Sequence, residues 1–380
     1  MKRHFMKLTA LLLVLAFIMT GVLGCNKQVS DKKTPAVSQE KEYKTVVDQN
    51  GRTVKIPTKI ERVVVTSILP LAAVYFLANG SCSKLVGVHP ACKSAAENSM
   101  LKILAPEIMQ AESDFIKGED LNIEELMKLK PDVVFYRGNN EKELKLLEAA
   151  GIPAIAVQPM ARPDGNTVEI LNSWVKLVGE VMKLETRADE IINYGREVEK
   201  SITNKTANLT EQEKPRALII YRLDEKKIEV AGSNFFGNYW LRTTGAQDVA
   251  EDIKMLGQVN MEQIYKWNPE IIYITNFTPT LAEDLLKNTI KGQDWSKVAA
   301  VQKGQVYKIP LGIYRWFPPS GDTPLMLKWM AQKNQPKLFS EYSIEKEIKQ
   351  YYTKFYNYNL SDQQVQMILN PTRDSAKDAQ

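Results

Sequence analysis

The sequence predicts an α/β protein of two lobes bridged by a long helix, and three observations carry that expectation. Short continuous apolar runs alternate with helical runs on both sides of the middle of the chain, the pattern that buries a parallel sheet between two layers of helices. Residues 166–203 contain no proline and keep apolar side chains at helical spacing. A motif at residues 121–135 returns without a gap at residues 259–273. With 380 residues, 44% apolar and 25% charged, the chain can bury a substantial core, which excludes a disordered chain, a collagen-like repeat and a small disulfide scaffold.

The first segment reads as an address. Residues 2–7 form a basic flank and residues 8–23 an apolar run too short and one-sided for a comfortable membrane span. It ends in Val22-Leu23-Gly24-Cys25, which looks like the lipobox of bacterial lipoproteins. Residues 1–24 are therefore expected to be a signal peptide, with Cys25 acylated as the membrane anchor. Residues 25–42 are rich in Lys, Ser, Gln and Asp and should act as a flexible tether. Removing Lys2, Arg3 and Lys7 takes 50 basic residues to 47 against 45 acidic ones, so the formal +5 falls to +2. No long basic run remains, and nucleic acid is excluded as a partner. Cys82 and Cys92 are the thiols left; an exported compartment permits a disulfide, and two separate buried thiols remain the alternative.

The elements follow in order. Residues 43–57 alternate polar and apolar side chains around Asn50-Gly51 and form a hairpin. Residues 62–66 are a strand, 71–78 a helix and 84–88 a strand; 124–129 are a helix, 131–136 a strand, 141–150 a helix and 154–157 a strand. The proline-free stretch then fits one helix of about 36 residues, roughly 55 Å long, with a break near residues 184–186 as the competing reading. After Lys214-Pro215 the alternation resumes with strand 217–221, helix 236–244, strand 271–275, helix 281–287 and strand 306–309. In the repeat, Asn122 matches Asn260, Glu124 matches Glu262, Lys128 matches Lys266 and Pro131 matches Pro269. Each copy reads as an Asn-capped helix, a proline turn and a buried strand. The expected divisions are 43–165 for the first lobe, 166–206 for the bridging helix, 207–360 for the second lobe and 361–380 for a C-terminal helix and tail.

Catalytic machinery is hard to find. Beyond the export segment His89 is the one histidine, and neither a nucleophile elbow nor a phosphate-binding glycine loop occurs. A transition-metal site lacks its usual His and Cys ligands, so the expectation is a binding protein with no catalytic residue and no metal centre of its own. Three Tyr-Arg pairs stand out: Tyr136-Arg137, Tyr221-Arg222 and Tyr314-Arg315. The first two directly follow buried strands, where an open α/β sheet places its ligand crevice. The third leads into Trp316-Phe317-Pro318-Pro319. Aromatic faces beside guanidinium forks suit a large flat or aromatic ligand bearing oxyanions.

The export signal with its lipobox, the hairpin VVDQNGRTVKIP before ERVVVTS, LNIEELMKLKPDVVF, the long helical stretch, VNMEQIYKWNPEIIYIT and YRWFPPS together resemble class III solute-binding proteins of ATP-driven importers. That family includes the binding proteins for iron-siderophores, haem and cobalamin. The resemblance covers residues 43–360 and implies two Rossmann-like lobes joined by one long α-helix, with the ligand held between them. Glu124 and Glu262 match the glutamates with which such proteins meet arginines of the permease, and Glu125 is a rival for the first. Tyr136-Arg137-Gly138 matches the first-lobe pocket loop and Trp316 the pocket aromatic of the second lobe. The sequence departs from haem-binding members in lacking an evident axial pair. The implied function is a membrane-anchored lipoprotein that captures an iron-siderophore, a transported metal chelate and not an intrinsic cofactor, for an ABC permease and its ATPase subunits. A corrinoid and haem are the alternative ligands; an extracytoplasmic hydrolase is the alternative from a different class.

Overall fold

A computed structural model describes residues 42–118, 120–160 and 165–377. The signal peptide, Cys25 and residues 25–41 of the tether lie outside them. No helix among the described residues is long and apolar enough to cross a membrane.

The chain opens with the expected hairpin, β1 (Tyr43–Val47) against β2 (Thr53–Pro57). Its turn is closed by Asp48, whose carboxylate accepts from the N–H groups of Asn50 and Arg52. The first lobe is built on β3 (Val63–Val65), β4 (Leu85–Val88), β5 (Val133–Arg137) and β6 (Ala154–Val157). They lie in the order β4-β3-β5-β6, all parallel, with Val63 opposite Val133. Helix α1 (Leu71–Asn79) is buried almost throughout. Helices α2 (Pro90–Glu97), α3 (Ile123–Lys128) and α4 (Glu141–Ala149) complete this lobe.

The stretch expected to be one bridging helix is two helices, α5 (Thr167–Met182) and α6 (Glu185–Thr206). Lys183 turns left-handed at φ 59°. The Gly179 carbonyl then accepts from both Lys183 and Leu184 N–H, a C-terminal stop that needs no glycine at the turn itself. The chain folds back, so Glu169 grips Arg196 with two bonds of 2.7 and 2.8 Å and Asn166 reaches Glu199 at 2.9 Å. Gly179 permits the close crossing, because a Cβ there would lie 2.7 Å from the Ala188 methyl. Helix α5 packs on α1 of the first lobe, and α6 packs on the second.

The second lobe holds β7 (Arg216–Leu223), β8 (Ile228–Ala231), β9 (Leu256–Val259), β10 (Ile271–Ile274) and β11 (Val306–Lys308). β7, β10 and β11 are parallel, as is the two-residue strand Gln247–Asp248 beside β7; β8 runs antiparallel to β7 and to β9. The parallel sheet expected here is thus mixed. The cause is a tight reversal in which the Asp224 carboxylate accepts from Lys226 and Lys227 N–H, an Asx-type turn. Helices α7 (Phe236–Thr243), α8 (Met261–Trp267), α9 (Ala282–Leu286), α10 (Thr323–Asn334), α11 (Ile344–Tyr356) and α12 (Asp362–Leu369) surround the sheet.

The sequence repeat is a structural repeat. Asn122 caps α3 by accepting from Glu125 N–H, and Asn260 caps α8 by accepting from Gln263 N–H. The equivalence continues past the proline. The Asp132 carboxylate accepts from Arg62 N–H and the Glu270 carboxylate from Arg216 N–H, while each arginine returns a bond to the end of the repeated helix, at Leu129 and Asn268 carbonyls. Cys82 and Cys92 are both buried and unpaired. Burial pushes the Cys92 thiol up to about 12.

Candidate functional site

The carboxyl ends of both parallel strand sets open onto one cavity of 960 Å³. This is the crevice that an open α/β sheet leaves for a ligand. On the first-lobe side it is lined by Thr66 and Ser67 after β3, His89 after β4, and Arg137 at the end of β5. The second-lobe side is aromatic, with Phe235, Phe236, Phe277 and Tyr314. Trp174 of α5 also lines it.

Arg137 is exposed, and among the described residues its guanidinium has no partner; its backbone N–H donates to Ser67 Oγ at 3.0 Å. His89 Nδ1 accepts from Ala91 N–H at 3.1 Å, so the ring proton resides on Nε2, and burial lowers the imidazole pKa. A neutral donor therefore joins a cationic one on the same wall. Glu143 is buried beside them. Its carboxylate accepts from Thr66 Oγ1 and Asn140 Nδ2, and burial raises its pKa. Those bonds fasten the loop after β3 to the loop after β5.

Of the seven side chains expected to bind ligand, Arg137 and Tyr314 line the cavity. Tyr136 lies wholly buried in the first-lobe core, with the Arg52 guanidinium 5.6 Å from its ring centre. Tyr221 stands behind the aromatic wall, stacked on Phe277 with centroids 4.8 Å apart, and the Arg222 guanidinium lies 5.3 Å from the Tyr221 ring. Arg315 is buried and donates to main-chain carbonyls. Trp316 is wholly buried too, its indole N–H given to Asp322 at 3.0 Å. None of these five residues lines the cavity.

Asp322 organises the loop that carries Tyr314. Its carboxylate accepts from Ile313 N–H, the Trp316 indole and the hydroxyls of Tyr352 and Tyr356, and burial pushes it up to about 6. A Cβ on Gly312 would meet the Asp322 carboxylate at 1.8 Å, so only glycine fits beneath it. The cavity aromatics that sequence reasoning missed are Trp174, Phe235, Phe236 and Phe277. Phe277 follows the buried strand β10 by three positions, so the strand-end rule that found Arg137 reaches it as well.

Glu124 and Glu262 are exposed in the first turns of α3 and α8, and neither has an ion pair among the described residues. Glu125 is held by Lys128 at 2.7 Å, which leaves Glu124 as the free carboxylate of the two. Among the described residues no group of three or more His, Cys, Asp or Glu is placed to hold a metal ion.

A family model described as periplasmic binding protein matches residues 63–311. The molybdate-binding protein MolA of Haemophilus influenzae is 25% identical over 330 residues, covering 82% of this chain and 90% of its own. The Fe(3+)-citrate-binding protein YfmC of Bacillus subtilis is 24% identical over 321 residues, covering 81% and 90%. A periplasmic solute-binding protein from Veillonella parvula shares the fold with a TM-score of 0.80 and 34% identity, over 89% of this chain and all of the other. Molybdate-bound MolA gives a TM-score of 0.71 at 23% identity, a likeness of fold.

Proposed function

This chain belongs to the periplasmic binding protein family, in the class III group that serves ABC importers, and from that premise we propose that its cleft captures an anionic ferric chelate of the siderophore type. Its relatives bind solutes and are not enzymes. The observation that carries the proposal is the free Arg137 guanidinium set opposite a wall of aromatic rings. A guanidinium in that position binds carboxylate or phenolate oxygens bidentately, while the rings accept the apolar body of a chelator. A cavity of 960 Å³ is of the size that holds drug-sized organic ligands. The Fe(3+)-citrate-binding relative agrees with an iron chelate. A bare tetrahedral oxyanion is the second reading, favoured by the similarity to MolA over most of the chain. A corrinoid, which needs fewer cationic contacts, is the remaining alternative.

On this reading Cys25 carries the lipid, residues 25–42 tether the binding unit, and Glu124 and Glu262 dock it on the permease. Trp174 is the fluorescent reporter of the cleft, since it lines the cavity and Trp316 does not. Titration with ferric citrate, a ferric catecholate siderophore, molybdate and cyanocobalamin tests the ligand. Ferric chelates are expected to bind at or below about 1 μM, roughly 8 kcal/mol. Arg137→Ala should weaken them by about 1.5–3 kcal/mol, the range for a hydrogen bond to a charged group. Tight binding of molybdate alone, or of cyanocobalamin with equal affinity in Arg137→Ala, transfers the assignment to that ligand.

A further inference from the structure

The C-terminal segment lies against the back of the aromatic wall. Arg373 holds Asp284 with two bonds of 2.7 Å, and Ser375 is buried. Arg315 is 1% exposed and has no carboxylate partner among the described residues. Its Nε donates to the carbonyls of Asn276 at 3.1 Å and Ser375 at 3.2 Å, and its Nη2 to the carbonyl of Lys377 at 3.1 Å. Two of those three acceptors therefore come from the tail. The guanidinium carbon sits 5.3 Å from the Phe277 ring centre and 5.5 Å from that of Tyr314, and Nη1 donates to the Tyr314 hydroxyl at 3.4 Å. Both rings line the cavity.

A buried guanidinium is stable only while its N–H groups are met by acceptors. Lys308 pins the same loop from a second direction, donating to the carbonyls of Thr275, Thr278 and Thr280 at 2.8, 2.6 and 2.8 Å. Asn276 adds a bond to Ser375 Oγ at 3.3 Å. The Tyr314 oxygen, accepting from Arg315, turns its own hydrogen elsewhere and becomes a donor available to an anion in the cavity.

We infer that residues 373–377 are a strap which, through Arg315 as positioning residue, sets Tyr314 and Phe277 for ligand recognition. The inference rests on the cavity being the ligand site. Tail carbonyls fix the guanidinium, and the guanidinium fixes the two rings, although no tail residue lines the cavity.

The test compares the chain ended after Thr372 with full-length Arg315→Gln, each alone and combined with Tyr314→Phe, using ferric citrate as probe. Each single change is expected to weaken binding about tenfold, and to combine with Tyr314→Phe to less than the product of the two losses, because the part of the effect that runs through the Tyr314 hydroxyl does not add. Without ligand, amide hydrogen exchange should quicken at residues 275–280 and 311–318 and stay unchanged elsewhere. Unchanged exchange in those two segments, or losses that multiply with that of Tyr314→Phe, overturns the strap. Should the shortened chain fail to fold, Arg315→Gln carries the test. Absence of ferric citrate binding in the unaltered protein removes the ligand reading alone, and the exchange comparison still decides for or against the strap.

Discussion

Asp322 is wholly buried, surrounded by four donors, and has no ion pair among the described residues. Burial raises its pKa from 3.8 to about 6, so the folded protein binds this proton more tightly than the unfolded chain does. The stability it contributes is complete below the unfolded value and is lost as pH rises through about 6. Urea unfolding of the protein and of Asp322→Asn, which does not titrate there, should show the stability of the protein relative to the variant falling between pH 4 and pH 7 by roughly 2 kcal/mol, at about 1.4 kcal/mol per unit of pKa shift. A relative stability that rises over that interval reverses the sign of the argument. Residues also show where sequence reasoning stops. Strand ends were legible, and they led to Arg137; strand parity then decides that Tyr136 points into the core while its neighbour points out. The family resemblance implied that Trp316 is a pocket aromatic. Its indole is claimed by Asp322, six positions later, and no local pattern announces that bond.

At the scale of elements, most of the first lobe was legible because short apolar strands and capped helices alternate there with clear punctuation. The helix pair was legible only as the competing reading, a break near residues 184–186. Apolar spacing continues from Val181 through Ala188 and Ile191, and the turn uses Lys183, a residue that carries no breaker signal. What reverses the chain is tertiary: the close crossing at Gly179 and the Glu169–Arg196 pair. Two substitutions should therefore act with opposite signs. Lys183→Gly removes a left-handed strain of about 1 kcal/mol, partly offset by a freer unfolded chain, and should raise the urea midpoint slightly. Gly179→Val sets methyl groups against Ala188 and should cost roughly 2 kcal/mol. Equal tolerance of both would mean that the crossing is looser than its distances imply. The antiparallel strands β8 and β9 escaped notice for a related reason, since the Asp224 turn contains neither glycine nor proline.

For the whole molecule, the repeat was the most informative signal. It is an ungapped likeness between two halves, and the structure returns it as matching caps, matching carboxylates and matching arginines. Two lobes that present equivalent, unpaired glutamates suit a partner with two equivalent basic surfaces. Charge reversal separates delivery from capture. Glu124→Arg and Glu262→Arg should bind ligand normally yet fail to support uptake or to stimulate the importer's ATPase, with the double variant worst, because like charges then oppose each other at the docking face. Uptake that survives in the double variant removes both residues from the interface. The identity of the ligand was beyond sequence, which does not show which faces of Phe235, Phe277 and Tyr314 meet the cavity. The family resemblance gave the protein its transport class before any of those faces was placed.

The two buried thiols have a practical meaning for watching this protein work. Cys82 and Cys92 are shielded from solvent and held in the protonated form, which is the unreactive one. In a soluble form beginning at Glu42 they would stay silent toward maleimide dyes. Cysteines introduced on exposed positions of the two lobes would then be the sole attachment points for a donor and an acceptor fluorophore, without first stripping the native cysteines from the core. Energy transfer between the dyes would follow the spacing of the lobes through capture and release, in a chain whose interior is chemically unaltered.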